Sequence, residues 1–180
     1  MLKSYRYRLS PTTSQVTLLE RTLEICRWVY NDTLALRKNA WEQERRSVSL
    51  YETNKILTEW KRERPELKQV HSQVLQNAQM RIDLAFKAFF RRLKSGENPG
   101  YPRFKGKGRY DSFAYPQSGF VLNEDRLHLA KIGDLRVFLH RPVEGTIKTL
   151  TIRRSATGKW YACFSVEYEP NPAPQKETTV

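Results

Sequence analysis

The sequence predicts an α+β fold: a small β-barrel whose first strand is separated from the rest by an inserted helical bundle. Three observations carry this. Residues 2–9 alternate with period two, residues 11–95 repeat apolar positions at threes and fours, and from Ser112 short β-prone runs alternate with turn residues.

In "LKSYRYRL", Lys3, Tyr5, Tyr7 and Leu9 share one face of a strand and Ser4, Arg6 and Arg8 the other. Pro11 and the Thr12-Thr13-Ser14 cluster open a helical stretch with Val16, Leu19, Leu23, Cys26, Tyr30 and Leu34 as its core stripe. Ser49 and Glu52 form a capping-box pattern that starts a third helix, which buries Leu50, Ile56 or Leu57, and Trp60 before Pro65 ends it. A fourth, from about Ser72, carries Val74, Ala78, Ile82, Ala85, Phe86, Phe89 and Leu93, and its stripe of Phe86, Phe89 and Phe90 reads as core. Then come "SFAY", "GFVL", "RLHL", "LRVFLH", "TIKTLTIRR" and "KWYACFSVEYE", punctuated by Asn123-Glu124-Asp125, Gly133-Asp134, Glu144-Gly145 and Thr157-Gly158. Such a barrel needs its edges closed, and the isolated strand at 2–9 completes it. The expected organisation is a first barrel strand at 1–10, helices at 11–95, the remaining barrel at 96–170 and a linker or disordered tail at 171–180.

At 180 residues, with 39% apolar and 12% aromatic content, the chain can bury a core as one domain or two small ones. No apolar run approaches the length of a membrane span and the N-terminus lacks a signal-peptide pattern, so the expectation is a cytoplasmic protein without a membrane partner. Cys26 and Cys163 lie far apart without metal spacing and read as small buried side chains. His71, His128 and His140 are scattered. No catalytic residue, metal site or cofactor is assigned from these residues.

Charge is the informative feature. The net charge is +13, of which residues 1–10 carry +3 and residues 86–109 carry +7, while 11–85 and 110–180 are nearly neutral. The cations are Lys3, Arg6 and Arg8, then Lys87, Arg91, Arg92, Lys94, Arg103, Lys105, Lys107 and Arg109. The last four lie in "NPGYPRFKGKGRY", where Pro99, Gly100, Pro102, Gly106 and Gly108 forbid helix and regular strand. A focused positive field interleaved with Tyr101, Phe104 and Tyr110 suits a nucleic acid, with cations on its backbone and bases stacked on the rings.

The order "LEICRWVYNDTLALRK", "QNAQMRIDLAFKAFF", "GYPRFKGKGRYDSF", "TIKTLTIRRSATGKWYACFSVEYE" resembles the N-terminal half of TnpB, the transposon-encoded RNA-guided DNA nuclease, over about residues 1–170. The resemblance implies an oligonucleotide-binding-like barrel, the wedge domain, and a helical recognition domain. It also implies two partners, a guide RNA and double-stranded DNA carrying a short motif beside the transposon end. Tyr51, Ser72, Gln73, Gln76 and roughly Gln117 align with the family's duplex readers, although some relatives carry a cation at Ser72. Arg27, Tyr30 and Asn31 resemble the family's "RxxYN"; Tyr30 is on the core stripe, which leaves Arg27 as the contact. In the family the nuclease carboxylates follow a linker like "EYEPNPAPQKETTV", so the chain as given is expected not to be an enzyme. Glu167 and Glu169, on one face of the last strand, read as edge charges. Two alternatives stand beside this reading. One is a stand-alone regulator of transposition or transcription that lays the Arg27–Lys38 helix in a major groove, and the other is a nonfunctional truncated remnant. The sequence sets no oligomeric state.

Overall fold

The computed structural model describes residues 1–169, so the tail expected at 171–180 lies outside the described residues. Strand β1 (Leu2–Ser10) is followed by helices α1 (Thr13–Glu44), α2 (Leu50–Glu63) and α3 (Ser72–Lys94), with a 3-10 turn at Pro65–Gln69. The strands β2 (Ser112–Tyr115), β3 (Phe120–Asn123), β4 (Arg126–Leu129), β5 (Gly133–Phe138), β6 (Thr146–Arg154) and β7 (Trp160–Glu167) complete the chain.

The helices enter between β1 and β2, as the sequence pattern required. There are three of them among the described residues, not four, because Thr13–Glu44 is unbroken. Neither Gly nor Pro occurs between Thr12 and Arg64, so nothing interrupts the backbone ladder before the chain turns at Arg45 (φ 52°). The N-termini of α1 and α2 are closed by capping boxes, Thr12 with Gln15 and Ser49 with Glu52.

All strand pairs are antiparallel, in the order β2-β6-β7-β1-β5-β4-β3. β1 thus sits inside the sheet, bonded to β7 and β5. The terminal strands of this order, β2 and β3, are joined by Pro116–Gly119 alone. Four residues reach about 14 Å, whereas the edges of a flat seven-stranded sheet stand about 29 Å apart. The sheet therefore curls until its edges nearly meet, with the Tyr115 hydroxyl donating across the gap to the Ala130 carbonyl (3.0 Å) at the end of β4.

Period-two alternation sends Tyr5, Tyr7 and Leu9 into this barrel with Phe113, Leu127, Leu135, Leu150 and Phe164. One continuous core runs from there through Leu19, Cys26 and Leu34 of α1 to Val74, Leu75 and Ile82 of α3. Polar groups fix the seam. Arg81 donates to Ser112 O (2.8 Å), Arg37 pairs with Asp83 (3.0 Å), and Arg154 on β6 pairs with Glu20 on α1. Cys26 is fully buried, which pushes its thiol up to about 12, and both cysteines are free.

Two expectations change. The Phe86–Phe90 stripe is not all core: Phe86 is buried and Phe90 is 54% exposed, because α3 outruns the helices packed on it. Glu167 and Glu169 are not edge charges either, since β7 is an interior strand that ends at Glu167, and Glu167 pairs with Lys148 (2.7 Å).

Candidate nucleic-acid interface

Residues 96–111 cross from the end of α3 to the barrel without regular structure, yet their backbone is pinned along its length. Asn31 on α1 grips Lys105 from both sides, donating to its carbonyl (2.9 Å) and accepting from its N–H (2.8 Å). Arg27 donates to the same carbonyl (3.1 Å), while Glu24 holds the rest of its guanidinium. That hydrogen bond from Arg27 is the main reason the Glu24 carboxyl lies below the usual range. Upstream, the Tyr101 ring stands edge-on to Phe86 (5.6 Å) and Phe89 (5.5 Å). Downstream, Arg109 N–H closes a turn onto Gly106 O (3.0 Å), Gly108 takes φ 72°, and Arg154 N–H holds Asp111 O (2.8 Å).

This strap presents Arg103, Lys105, Lys107 and Arg109 to solvent, and none of the four has an ion-pair partner among the described residues. Cations already fixed on a held backbone spend little ordering entropy when they meet phosphates. Arg27 consequently serves the strap and not the ligand: its side chain is 17% exposed and fully engaged. Tyr110 is also corrected. It is buried between the Tyr30 ring (5.7 Å) and the Arg81 guanidinium (5.3 Å), which leaves no face for a base, and burial raises its hydroxyl pKa. Tyr101 and Phe104 remain exposed.

The strap joins a second surface. On the outer face of the sheet, the register places Ser112, Arg153, Tyr161, Arg8 and Phe138 in one row across five strands. Arg6 lies over the Tyr161 ring (4.6 Å) and Arg136 over Phe138 (5.4 Å). A groove of about 780 Å³ lies where Arg6, Arg153 and the β6–β7 turn meet Gly108 and Arg109 of the strap. Another, of about 610 Å³ between Arg8, Phe138 and Lys159, flanks the same turn. The two cationic clusters of the sequence thus converge through Arg6, Arg8 and Arg109. Sequence reasoning missed Arg153, Lys159 and Tyr161, because the net charge of 110–180 averages over both faces of each strand. Reading that segment one face at a time would have found them.

The other expected residues distribute unevenly. Lys3 sits over Tyr168 (3.4 Å), about 17 Å along β1 from Arg8. Lys87 is paired with Asp83 (2.9 Å) and Arg92 with Glu97 (3.9 Å), while Arg91 and Lys94 project from the last turn of α3. Gln73 accepts from both the N–H and the hydroxyl of Ser118 (3.1 Å each), so it holds the turn that exposes Gln117. Ser72 accepts from Lys61 (2.8 Å), and Gln76 is exposed. These four gather around the start of α3. Tyr51, 68% exposed, stands at the far end of α2, about 15 Å along the helix from Lys61, the residue that reaches Ser72.

His71 organises that corner. Its Nδ1 accepts from Gln73 N–H (3.3 Å) as the cap of α3, and its ring tilts against Tyr115 (5.8 Å). Burial, helped by Lys131 and Lys61, holds its pKa below the ordinary 6.5. The unfolded chain therefore takes up this proton at higher pH than the folded one, so the contribution is complete above about pH 6.5 and is lost as pH falls through the folded value. We expect His71→Asn, which keeps an acceptor for the cap, to lose less melting temperature than the wild type between pH 7 and pH 5. Parallel melting curves over that range check this.

No helix among the described residues is long and apolar enough to cross a membrane, and no three His, Cys, Asp or Glu side chains there gather to hold a metal ion.

Comparison with known proteins agrees with this geometry in part. Residues 1–46 match the OrfB helix-turn-helix domain of the IS605 type. Those residues form β1 and the unbroken α1, in which Arg27 holds the strap and Arg37 pairs with Asp83. Over 99% of its length the chain is 33% identical to a candidate RNA-guided DNA endonuclease of Streptomyces pristinaespiralis. Over 93% it is 33% identical to the candidate RNA-guided DNA endonuclease InsQ of Escherichia coli (strain K12). It spans 44% and 41% of the length of these two curated relatives. By sequence, the chain is similar to these two candidate RNA-guided DNA endonucleases over the part it spans, and its first 46 residues match the OrfB domain.

Proposed function

We propose that this chain is the nucleic-acid-recognition part of a TnpB-like RNA-guided DNA endonuclease, holding a guide RNA and a short duplex motif without cutting either. The barrel acts as the wedge domain and the helices as the recognition domain. The observation that carries this is the pinned strap, whose unpaired cations end at Arg109 on the groove between β1 and the β6–β7 turn. RNA backbone runs along Arg6, Arg8, Arg109 and Arg153, with Tyr161 and Phe138 offering ring faces to bases. Duplex reading belongs to the corner of Ser72, Gln73, Gln76 and Gln117, where the exposed amides of Gln76 and Gln117 match paired donors and acceptors on base edges and Gln73 holds the turn between them. Cleavage is assigned to none of the described carboxylates: Glu20, Glu24, Asp83 and Glu167 are each held in an ion pair.

Purifying the chain without nuclease treatment and sequencing what accompanies it tests the proposal. Transposon-end RNA is expected. Protein free of RNA that nevertheless shifts duplex DNA would overturn it in favour of a stand-alone regulator.

A further inference from the structure

Between the last turns of α1, the C-terminal half of α3 and the start of the strap lies a pocket of about 310 Å³. Trp41, Phe86, Phe89, Phe90 and Tyr101 form its walls. Phe86 and Phe89 meet Tyr101 edge-on, Phe89 meets Phe90 the same way (5.3 Å), and Phe86 and Phe90 stack at 6.4 Å, so the rings form one interlocked wall. Phe90 is 54% exposed, Trp41 52% and Tyr101 43%. A contiguous aromatic surface of this kind marks a binding site.

Its rim decides the class of ligand. Arg37, paired with Asp83, lines the pocket with its guanidinium 4.7 Å over Phe86, and the half-exposed Arg46, paired with Glu44 and Glu52, lines it too. Beyond them Arg91 and Lys94 on α3 and Arg103 on the strap are exposed and lack ion-pair partners among the described residues. An apolar protein segment would satisfy the rings and leave Arg91, Lys94 and Arg103 unmatched. A flat π-faced group carried on a polyanion satisfies both.

We propose that this pocket takes an unstacked nucleobase from a single-stranded stretch of RNA, with the rings stacking on the base and the rim cations on the flanking phosphates. The assignment rests on the nucleic-acid reading above and adds a site separate from the groove at the barrel. Because every base offers a π-face, capture here is tolerant of sequence.

The test measures binding of the full chain to a short oligouridine RNA and to a blunt DNA duplex of equal length, at one salt concentration. Phe90→Ala and Trp41→Ala both alter half-exposed side chains, and circular dichroism confirms that each variant is folded. Each is expected to weaken oligouridine binding roughly 5- to 100-fold and to leave duplex binding within about twofold. Unchanged oligouridine affinity in both variants would overturn the pocket, while the wider reading would stand if glutamines at the four strap cations still abolished RNA binding. Equal loss for oligouridine and duplex would also overturn it, by making the rings part of a general surface. Wild-type protein that binds neither oligouridine nor an RNA hairpin would overturn the pocket and the wider reading together.

Discussion

Replacing Arg103, Lys105, Lys107 and Arg109 together with glutamine is expected to weaken binding to structured RNA by roughly a thousandfold at 0.1 M salt. Each phosphate contact contributes about 0.7 to 0.9 to the log–log salt slope, so four lost contacts remove about three units of slope and a similar loss in log affinity at that salt. The loss should be alike for all sequences, because contacts to phosphate carry no sequence information. Stability should hardly change. The four side chains are exposed, and the strap is held through its backbone by Asn31 and through Tyr110 by the core. Anisotropy titrations at several salt concentrations measure both quantities, and an unaltered slope would contradict the electrostatic role of the strap.

Gly145→Ala is expected to be the most damaging small substitution on the barrel. Gly145 has φ 104°, and a Cβ there would stand 2.3 Å from the Glu167 carbonyl oxygen and 2.9 Å from Val166 Cγ1. That carbonyl cannot retreat, because Glu167 is paired with Leu2 on one side and Thr146 on the other. Backbone strain of about 1–3 kcal/mol and overpacking of about 1–3 kcal/mol add to a loss of about 2–6 kcal/mol, or about 10 °C in melting temperature. Gly158 is the control, with φ 76° and no atom within 4 Å of where a Cβ would stand, so Gly158→Ala should cost about 1 kcal/mol. Urea denaturation of the two variants separates steric conflict from backbone preference. Equal losses would show that the Gly145 contact gives way.

Local patterning made the elements legible. The alternation in "LKSYRYRL" identified the buried Tyr5, Tyr7 and Leu9, and the later runs such as "SFAY", "RLHL" and "TIKTLTIRR" became strands at those positions because turn residues bracket them. The capping box at Ser49 appeared as expected. What stayed hidden depends on partners distant in the chain. Asn31 looks like a polar helix residue until Lys105, 74 residues away, supplies both its partners. Tyr110 sits in a cationic loop by sequence and in the core by tertiary packing, whereas Phe90 follows a core stripe yet lies past the end of the packed surface. The row from Arg153 through Tyr161 to Arg8 exists because β1 inserts beside β7, a pairing that no local signal encodes.

The central claim is that RNA lies along the strap and across the groove beside the β6–β7 turn. Amide hydrogen exchange with and without a bound RNA hairpin tests it most directly. The account predicts slowed exchange at residues 103–109 and 155–159 on binding, with no change at the β3–β4 turn around Glu124, which lies outside both grooves. Protection confined to α2 or to the β3–β4 turn, with the strap exchanging as in the free protein, would contradict it.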